Sequence, residues 1–201
     1  MKILALELSS ARGSLAWRDG DSVVRREWPN DRKNSGEFFR ELSEVQKQFG
    51  PAERIVVGLG PGSYAGTRIS ISAAIGLQMA SGSELVGLSS LCAIDCDGPE
   101  YAIIGDARRQ TFFLGYVKER TLSEPPVLQT ETELRIALET YLGRMPVFAM
   151  EPLSQFEGVI LRYPSAEILA RLAEDANRRF VLPPLEPMYL REPHITTPKT
   201  K

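Results

Sequence analysis

Histidine and cysteine are nearly absent from this 201-residue chain, which has one histidine (His194) and two cysteines (Cys92 and Cys96). A Ser-His-Asp triad, and most transition-metal sites, would have to use His194. It stands in a Pro- and Thr-rich tail, where nothing nearby fixes a catalytic geometry. The two cysteines are four positions apart, a spacing that suits one face of a helix and not a C-x-x-C redox pair. They read as small buried hydrophobes, reduced in a cytoplasmic protein. Charge of one sign is lacking as well: 24 basic and 26 acidic residues leave a net charge of -2, which disfavours nucleic acid as a tight stand-alone partner. A membrane span needs roughly 20 apolar residues. The longest uncharged stretch, Ile69 to Ser83, falls short of that, and no signal peptide follows Met1-Lys2. With 43% hydrophobic and 25% charged residues, and no excess of glycine or proline, disordered, collagen-like and coiled-coil classes are excluded.

What is present is an alternation of strand and helix patterns. Lys2 to Leu8 is an apolar run. Gly13 to Trp17 and Ser22 to Trp28 are strand candidates joined by a turn containing Asp19-Gly20, a hairpin signal. A helix begins near Asn34, with Glu37 at capping-box spacing, and Phe38, Leu42, Val45 and Phe49 form its apolar stripe. Gly50-Pro51 stops it. Arg54 to Leu59 reads as a buried strand that runs into a Gly-rich turn. The next helix, Thr67 to Ala80, is apolar or small nearly all round, with Ser72, Gly76 and Ala80 four apart. Such a helix is expected to be buried on more than one side, within its own domain or against another chain.

After a boundary signal at Asp97-Gly98-Pro99 the pattern restarts. Strands are expected over Tyr101 to Gly105, Thr111 to Val117, Pro146 to Met150 and Val159 to Leu161. A polar connection covers Glu119 to Gln129, and helices cover Glu131 to Leu142 and Ser165 to Arg179. Each half thus starts with strands and continues with alternating helices and strands, the second less completely. The expected class is α/β, with mixed sheets flanked by helices. The expected divisions are residues 1–98, a smaller lobe at 99–182 and an irregular tail at 183–201.

Three places have residue types that carry chemistry. The turn from Gly58 to Arg68 opens a helix, so its free N–H groups, with Ser63, Thr67 and Arg68, suit an anion. It lacks the lysine of a Walker A loop and the spacing of G-x-G-x-x-G, so a purely structural turn is the other reading. Asp106-Ala107-Arg108-Arg109-Gln110, between two strands, is either a metal or phosphate site or a charged hairpin turn. Glu7-Leu8-Ser9-Ser10, at the end of the first strand, lines a cleft or simply turns.

These residues carry a resemblance. Ile3-Leu4-Ala5-Leu6-Glu7 followed by Ser9, Gly60-Pro61-Gly62-Ser63-Tyr64-Ala65-Gly66-Thr67-Arg68, Asp106-Ala107-Arg108 after a strand, Pro164-Ser165-Ala166 and Pro187-Met188-Tyr189-Leu190-Arg191 resemble the TsaB (YeaZ) family, the so-called glycoprotease family. The resemblance implies a two-lobed actin-like, ribonuclease-H-like fold with a reduced second lobe. It implies a non-catalytic scaffold in making threonylcarbamoyl-adenosine, the modified base beside the tRNA anticodon. The implied partners are a TsaD-type catalytic subunit, which holds the metal, and a TsaE-type ATPase, with tRNA met only through the complex. No intrinsic cofactor is implied, although ATP or ADP at a partner interface is compatible with it. The family's first strand usually ends in Asp-Thr, where this chain has Glu7-Leu8, and its first long helix often opens with His-Ser, where this chain has Asn34-Ser35.

The absence of a catalytic set agrees with an adaptor. Its expected partner face comprises Phe38, Leu42 and Val45 with Ile69, Ser72, Ala73, Gly76, Leu77 and Ala80, and the same face would pair two copies when the chain is alone. The alternative is an autonomous nucleotide-binding ATPase or kinase-like protein using Glu7, Ser9, Gly62, Ser63, Thr67, Arg68 and Asp106. A peptidase lacks a nucleophile–base pair.

Overall fold

The computed structural model describes residues 1–30 and 35–191. Three antiparallel strands come first: β1 (Lys2–Glu7), β2 (Arg12–Asp19) and β3 (Ser22–Pro29). Gly20 supplies the positive φ of the β2–β3 turn. Helix α1 (Gly36–Phe49) then crosses to β4 (Arg54–Gly58), and α2 (Tyr64–Ser81) crosses to β5 (Glu84–Leu88). β4 is parallel to β1, and β5 to β4, giving the order β3-β2-β1-β4-β5. β1 is apolar on both faces because it is central and covered on both sides.

The second sheet repeats this plan. β6 (Glu100–Asp106), β7 (Thr111–Lys118) and β8 (Thr121–Leu122) are antiparallel, and β9 (Val127–Thr130) also pairs with β7. α3 (Glu131–Tyr141) leads to β10 (Val147–Ala149), and β11 (Ile160–Leu161) follows. The order is β11-β10-β6-β7-β8, with β10 parallel to β6 and β11 to β10. Position for position this is the first sheet's topology. The equivalent of α2 is missing, since the chain from β10 to β11 contains only turns. α3 opens with a capping box in which the Thr130 hydroxyl accepts from Glu133 N–H while Glu133 accepts from Thr130 N–H.

Helix α4 (Ala166–Leu172) packs across the first sheet: Ile168, Leu169 and Leu172 share a core with Ile3, Ala5, Ala16, Val56 and Val86. Its first N–H, at Ala166, donates to the buried Ser14 hydroxyl (2.9 Å). The sequence pattern extends this helix to Arg179, but it stops at Leu172. Ala176 is exposed, and the Asp175 carboxylate accepts from Asn177 N–H (2.9 Å) in a local turn that competes with helix. The polar connection expected at Glu119 to Gln129 holds β8 and part of β9. The C-terminal part of the described residues returns to the first lobe. Val181 exchanges backbone hydrogen bonds with Gly87, and Leu185 is buried in the first core. Asn34 and His194 lie outside the described residues. No helix among the described residues is long and apolar enough to cross a membrane.

The stripe of α1 points inward. Phe38, Leu42 and Val45 are buried in one cluster with Trp17, Trp28, Ile55 and Ile71. They stabilise this chain's own core and are not available to a partner, which corrects the expectation that they form a docking face. Helical periodicity marks a face that must be covered, and here the covering is intramolecular.

Candidate functional site

The C-terminal ends of the central strands of both sheets meet at one cleft of about 590 Å3. The duplicated topology explains its walls. Ser9 and Ser10 follow β1, and Pro61 to Tyr64 follow β4; from the other lobe, Asp106 to Arg108 follow β6, and Met150 to Leu153 follow β10. Of the residues expected at an anion or nucleotide site, Ser9, Gly62, Ser63, Thr67 and Asp106 line this cleft. Glu7 and Arg68 do not.

The turn's polar groups are largely engaged within it. Ser63 N–H donates to the Ser9 carbonyl (2.6 Å), and the Ser63 hydroxyl caps α2 by accepting from Gly66 N–H (3.2 Å). The Thr67 hydroxyl donates to the Ser63 carbonyl (3.0 Å). A Cβ added at Gly62 would lie 2.1 Å from the Ser9 oxygen, and one at Gly66 2.1 Å from the Leu8 oxygen. These glycines let α2 press onto the β1–β2 turn backbone to backbone. Asp106 is likewise committed: its carboxylate accepts from Arg108 N–H (2.6 Å) and pairs with the Arg108 guanidinium (2.8 Å). Among the described residues no three His, Cys, Asp or Glu side chains form a metal-holding group.

Glu7 sits behind the cleft, fully buried. One carboxyl oxygen accepts from Ser9 N–H (2.7 Å), while the other occupies the space a Gly58 side chain would take, 1.8 Å from that Cβ position. Burial raises its pKa above the usual carboxylate value, and hydrogen bonding from Ser9 and Ser90 opposes this only in part. Cys92 is buried too, its thiol pushed up to about 11 by burial, which is the inert behaviour expected of it.

The other candidate surface is α2. Its buried face is Gly66, Thr67, Ser70, Ile71 and Ala74. Ile69, Ala73 and Leu77 are half-buried against the first core. The opposite face is open: Ser72, Gly76 and Ala80 are exposed, Ile75 is 39% exposed, and Met79 is 83% exposed. A Cβ at Gly76 would meet nothing within 4 Å. Of the expected docking face, α2 therefore presents Ser72, Gly76 and Ala80 fully, and Ile69, Ala73 and Leu77 in part. The described residues cover one side of α2, so a helix enclosed within its own domain does not describe it.

A family model described as TsaD, tRNA N6-adenosine threonylcarbamoyltransferase, matches residues 38–124, a span from α1 to just past β8 that includes α2. Comparison with curated proteins finds no match. YeaZ from Pseudomonas aeruginosa superposes with a TM-score of 0.74 at 19% identity, over 94% of this chain and 100% of that one. A second structure, an uncharacterized protein with similarity to peptidase YEAZ from Pseudomonas aeruginosa, gives a TM-score of 0.75 at 20% identity, over 94% and 99%. This chain has the YeaZ fold. The family model covers less than half of the chain and both structures are at most 20% identical to it, so what they share with it is the fold. The architecture is α/β, two mixed sheets flanked by helices.

Several residues of the cleft escaped sequence reasoning. Asn30 donates to the Leu8 (3.1 Å) and Ser10 (2.8 Å) carbonyls and pins the β1–β2 turn. Glu151 accepts from Asp106 N–H across the second lobe. Its signal was topological: it follows β10 as the Gly-rich turn follows β4. The segment Pro187 to Arg191 lines the cleft as well, with Met188 N–H donating to the Leu59 carbonyl (2.7 Å). Those five residues formed part of the family resemblance, but no contact was expected of them.

Proposed function

We propose that this chain is the non-catalytic scaffold and activator subunit of a tRNA threonylcarbamoyladenosine modification complex. It pairs with a TsaD-type catalytic subunit through the open face of α2. The observation that carries this reading is the apolar, small-residue face of Ser72, Ile75, Gly76, Met79 and Ala80, uncovered on a helix inside the TsaD-matching span. Small residues let a second helix approach within the 8–10 Å of close helix packing. Burying Met79 contributes about 1.5–3 kcal/mol, and Ile75, already more than half buried, less than half of that, before the costs of association. A TsaE-type ATPase joins the same complex, tRNA is met only through it, and ATP or ADP belongs at the partner interface. Without a partner, two copies share the α2 face as a homodimer.

Light scattering on a size column, with the chain alone and then mixed with the TsaD homologue from the same source, tests this. A new peak at the mass of a one-to-one complex, lost in Gly76→Glu, is the expected result. An unchanged mixture of two folded proteins refutes pairwise docking. A second reading, an autonomous nucleotide-binding ATPase, is favoured by the volume of the interlobe cleft and by Ser9, Ser63, Thr67 and Asp106 along it. Turnover of Mg-ATP by the pure chain, abolished by Asp106→Ala, would replace the scaffold reading.

A further inference from the structure

At the N-terminal end of α2's open face the chemistry changes. One turn before Ser72 stands Arg68, and one turn before that Tyr64, both exposed. The Tyr64 ring, 56% exposed, packs on Tyr189 of the tail segment, 44% exposed, with centroids 5.6 Å apart. The Arg68 guanidinium lies 5.1 Å over the Tyr64 ring and donates to the Tyr64 hydroxyl. Arg40, Arg54 and Arg135 each hold a carboxylate, whereas Arg68 has no carboxylate partner among the described residues. An apolar stripe thus ends in two exposed tyrosines and an uncompensated cation. Tyrosine and arginine are the residue types that dominate binding energy at interfaces.

We infer that Tyr64, Arg68 and Tyr189 form the anchoring end of the docking surface. This rests on the reading of α2 as the docking helix. The partner surface that fits is a helix face of small and apolar residues carrying a carboxylate opposite Arg68. Among the described residues no carboxylate answers this charge, and one supplied by the partner forms a charge-assisted pair as the surrounding apolar face excludes water. The anchor also reaches beyond α2. Met188, beside Tyr189, donates to Leu59 of the first lobe; Leu190 packs on the core of the second, and the Arg191 guanidinium donates to the Thr111 hydroxyl of β7. A partner that grips Tyr189 therefore holds the segment that straps the two lobes together along the cleft.

Binding to the TsaD-type subunit is measured by calorimetry at about 50 and 300 mM salt for the wild type, Arg68→Glu, Tyr189→Ala, Tyr189→Phe and Gly76→Glu, each first checked by thermal melting. The expected result is a dissociation constant at least tenfold weaker for Arg68→Glu and for Tyr189→Ala. Tyr189→Phe stays within about threefold, and the Arg68→Glu deficit shrinks at high salt, as screening requires. If Gly76→Glu abolishes binding while Arg68→Glu and Tyr189→Ala bind as wild type, the anchor is refuted and the α2 reading stands. If Gly76→Glu also binds as wild type, the α2 reading itself fails. Should Tyr189→Ala not fold, Arg68→Glu decides alone, because Arg68 is exposed and outside the core. A wild-type chain that self-associates with this same dependence and ignores the TsaD-type subunit makes a second copy the occupant and overturns the proposal.

Discussion

One substitution made at two places on α2 should have opposite effects. Glycine inside a helix is less favourable than alanine by about 0.8–1.0 kcal/mol. At Gly76 an added Cβ meets nothing, so Gly76→Ala gains most of that amount. In a chain of this size, about 1 kcal/mol moves the melting temperature by about 2–4 °C, and the expected shift is upward by that much. At Gly66 the same Cβ arrives 2.1 Å from the Leu8 oxygen and 3.2 Å from the Leu8 carbonyl carbon. Those atoms are backbone in the β1–β2 turn, and Asn30 already ties the same oxygen. Helix and turn must separate by about an ångström, and overpacking of this kind destabilises by about 1–3 kcal/mol. The same helix gain offsets part of this, so Gly66→Ala is expected to melt up to about 8 °C below wild type. Differential scanning calorimetry of the two variants reads both signs. Equal shifts would mean that Gly66 is not a close-approach glycine, and a fall at Gly76 would mean that something in the chain already packs there. Complex formation supplies a second readout: under the proposed docking, a methyl between the helices is expected to weaken binding about 5- to 150-fold in Gly76→Ala, even as the monomer gains stability.

Other outcomes follow from single features. Met79→Ala, at the most exposed large side chain of the α2 face, should leave the monomer's melt within about 0.5 kcal/mol of wild type and weaken pairing about tenfold, measured by calorimetry. Glu7, with its folded pKa above the ordinary 4.5, binds a proton in the folded chain that the unfolded chain has released at pH values just above 4.5. Stability must therefore fall as pH rises from that value and level off above the folded pKa. Glu7→Gln should flatten the decline and raise the melting temperature at pH 7–8; an unchanged slope between pH 4.5 and 8 would sink this account. Leu185→Ala, at a core position in the tail, should lose about 2–4 kcal/mol in urea unfolding, where a tail outside the fold would lose nothing.

The strand–turn–helix grammar of the first lobe was legible because its signals are local. Asp19-Gly20 makes the hairpin, and the run from Arg54 into the Gly-rich turn makes β4 and starts α2. The same locality explains the misreadings. Phe38, Leu42 and Val45 announce an apolar face, but periodicity does not say whether a sheet of the same chain or a partner covers it. α2 looked buried all round because serine, glycine and alanine are read as compatible with burial; the structure covers Gly66, Ser70 and Ala74 and leaves Ser72, Gly76 and Ala80 open. At the cleft, Ser9, Ser63 and Asp106 were found as strand-end polar residues. Glu151 and the Pro187–Arg191 segment were not, since their roles depend on the repeat of topology and on a tail that returns over both lobes.

The placement of α4 has a consequence for how the chain comes to exist. The five strands of the first sheet are complete at Leu88, yet the face bearing Ile3, Ala5, Ala16, Val56 and Val86 is closed by Ile168, Leu169 and Leu172. At a synthesis rate of about 5–20 residues per second, the stretch from Leu88 to Leu169 takes on the order of 4–16 s to emerge. During that interval a finished sheet stands on the ribosome with one apolar face wet, the condition in which nascent chains aggregate or recruit a chaperone. Translation pauses before codon 166 lengthen this exposure, and a fragment ending there is expected to be insoluble although it holds every strand of the first lobe.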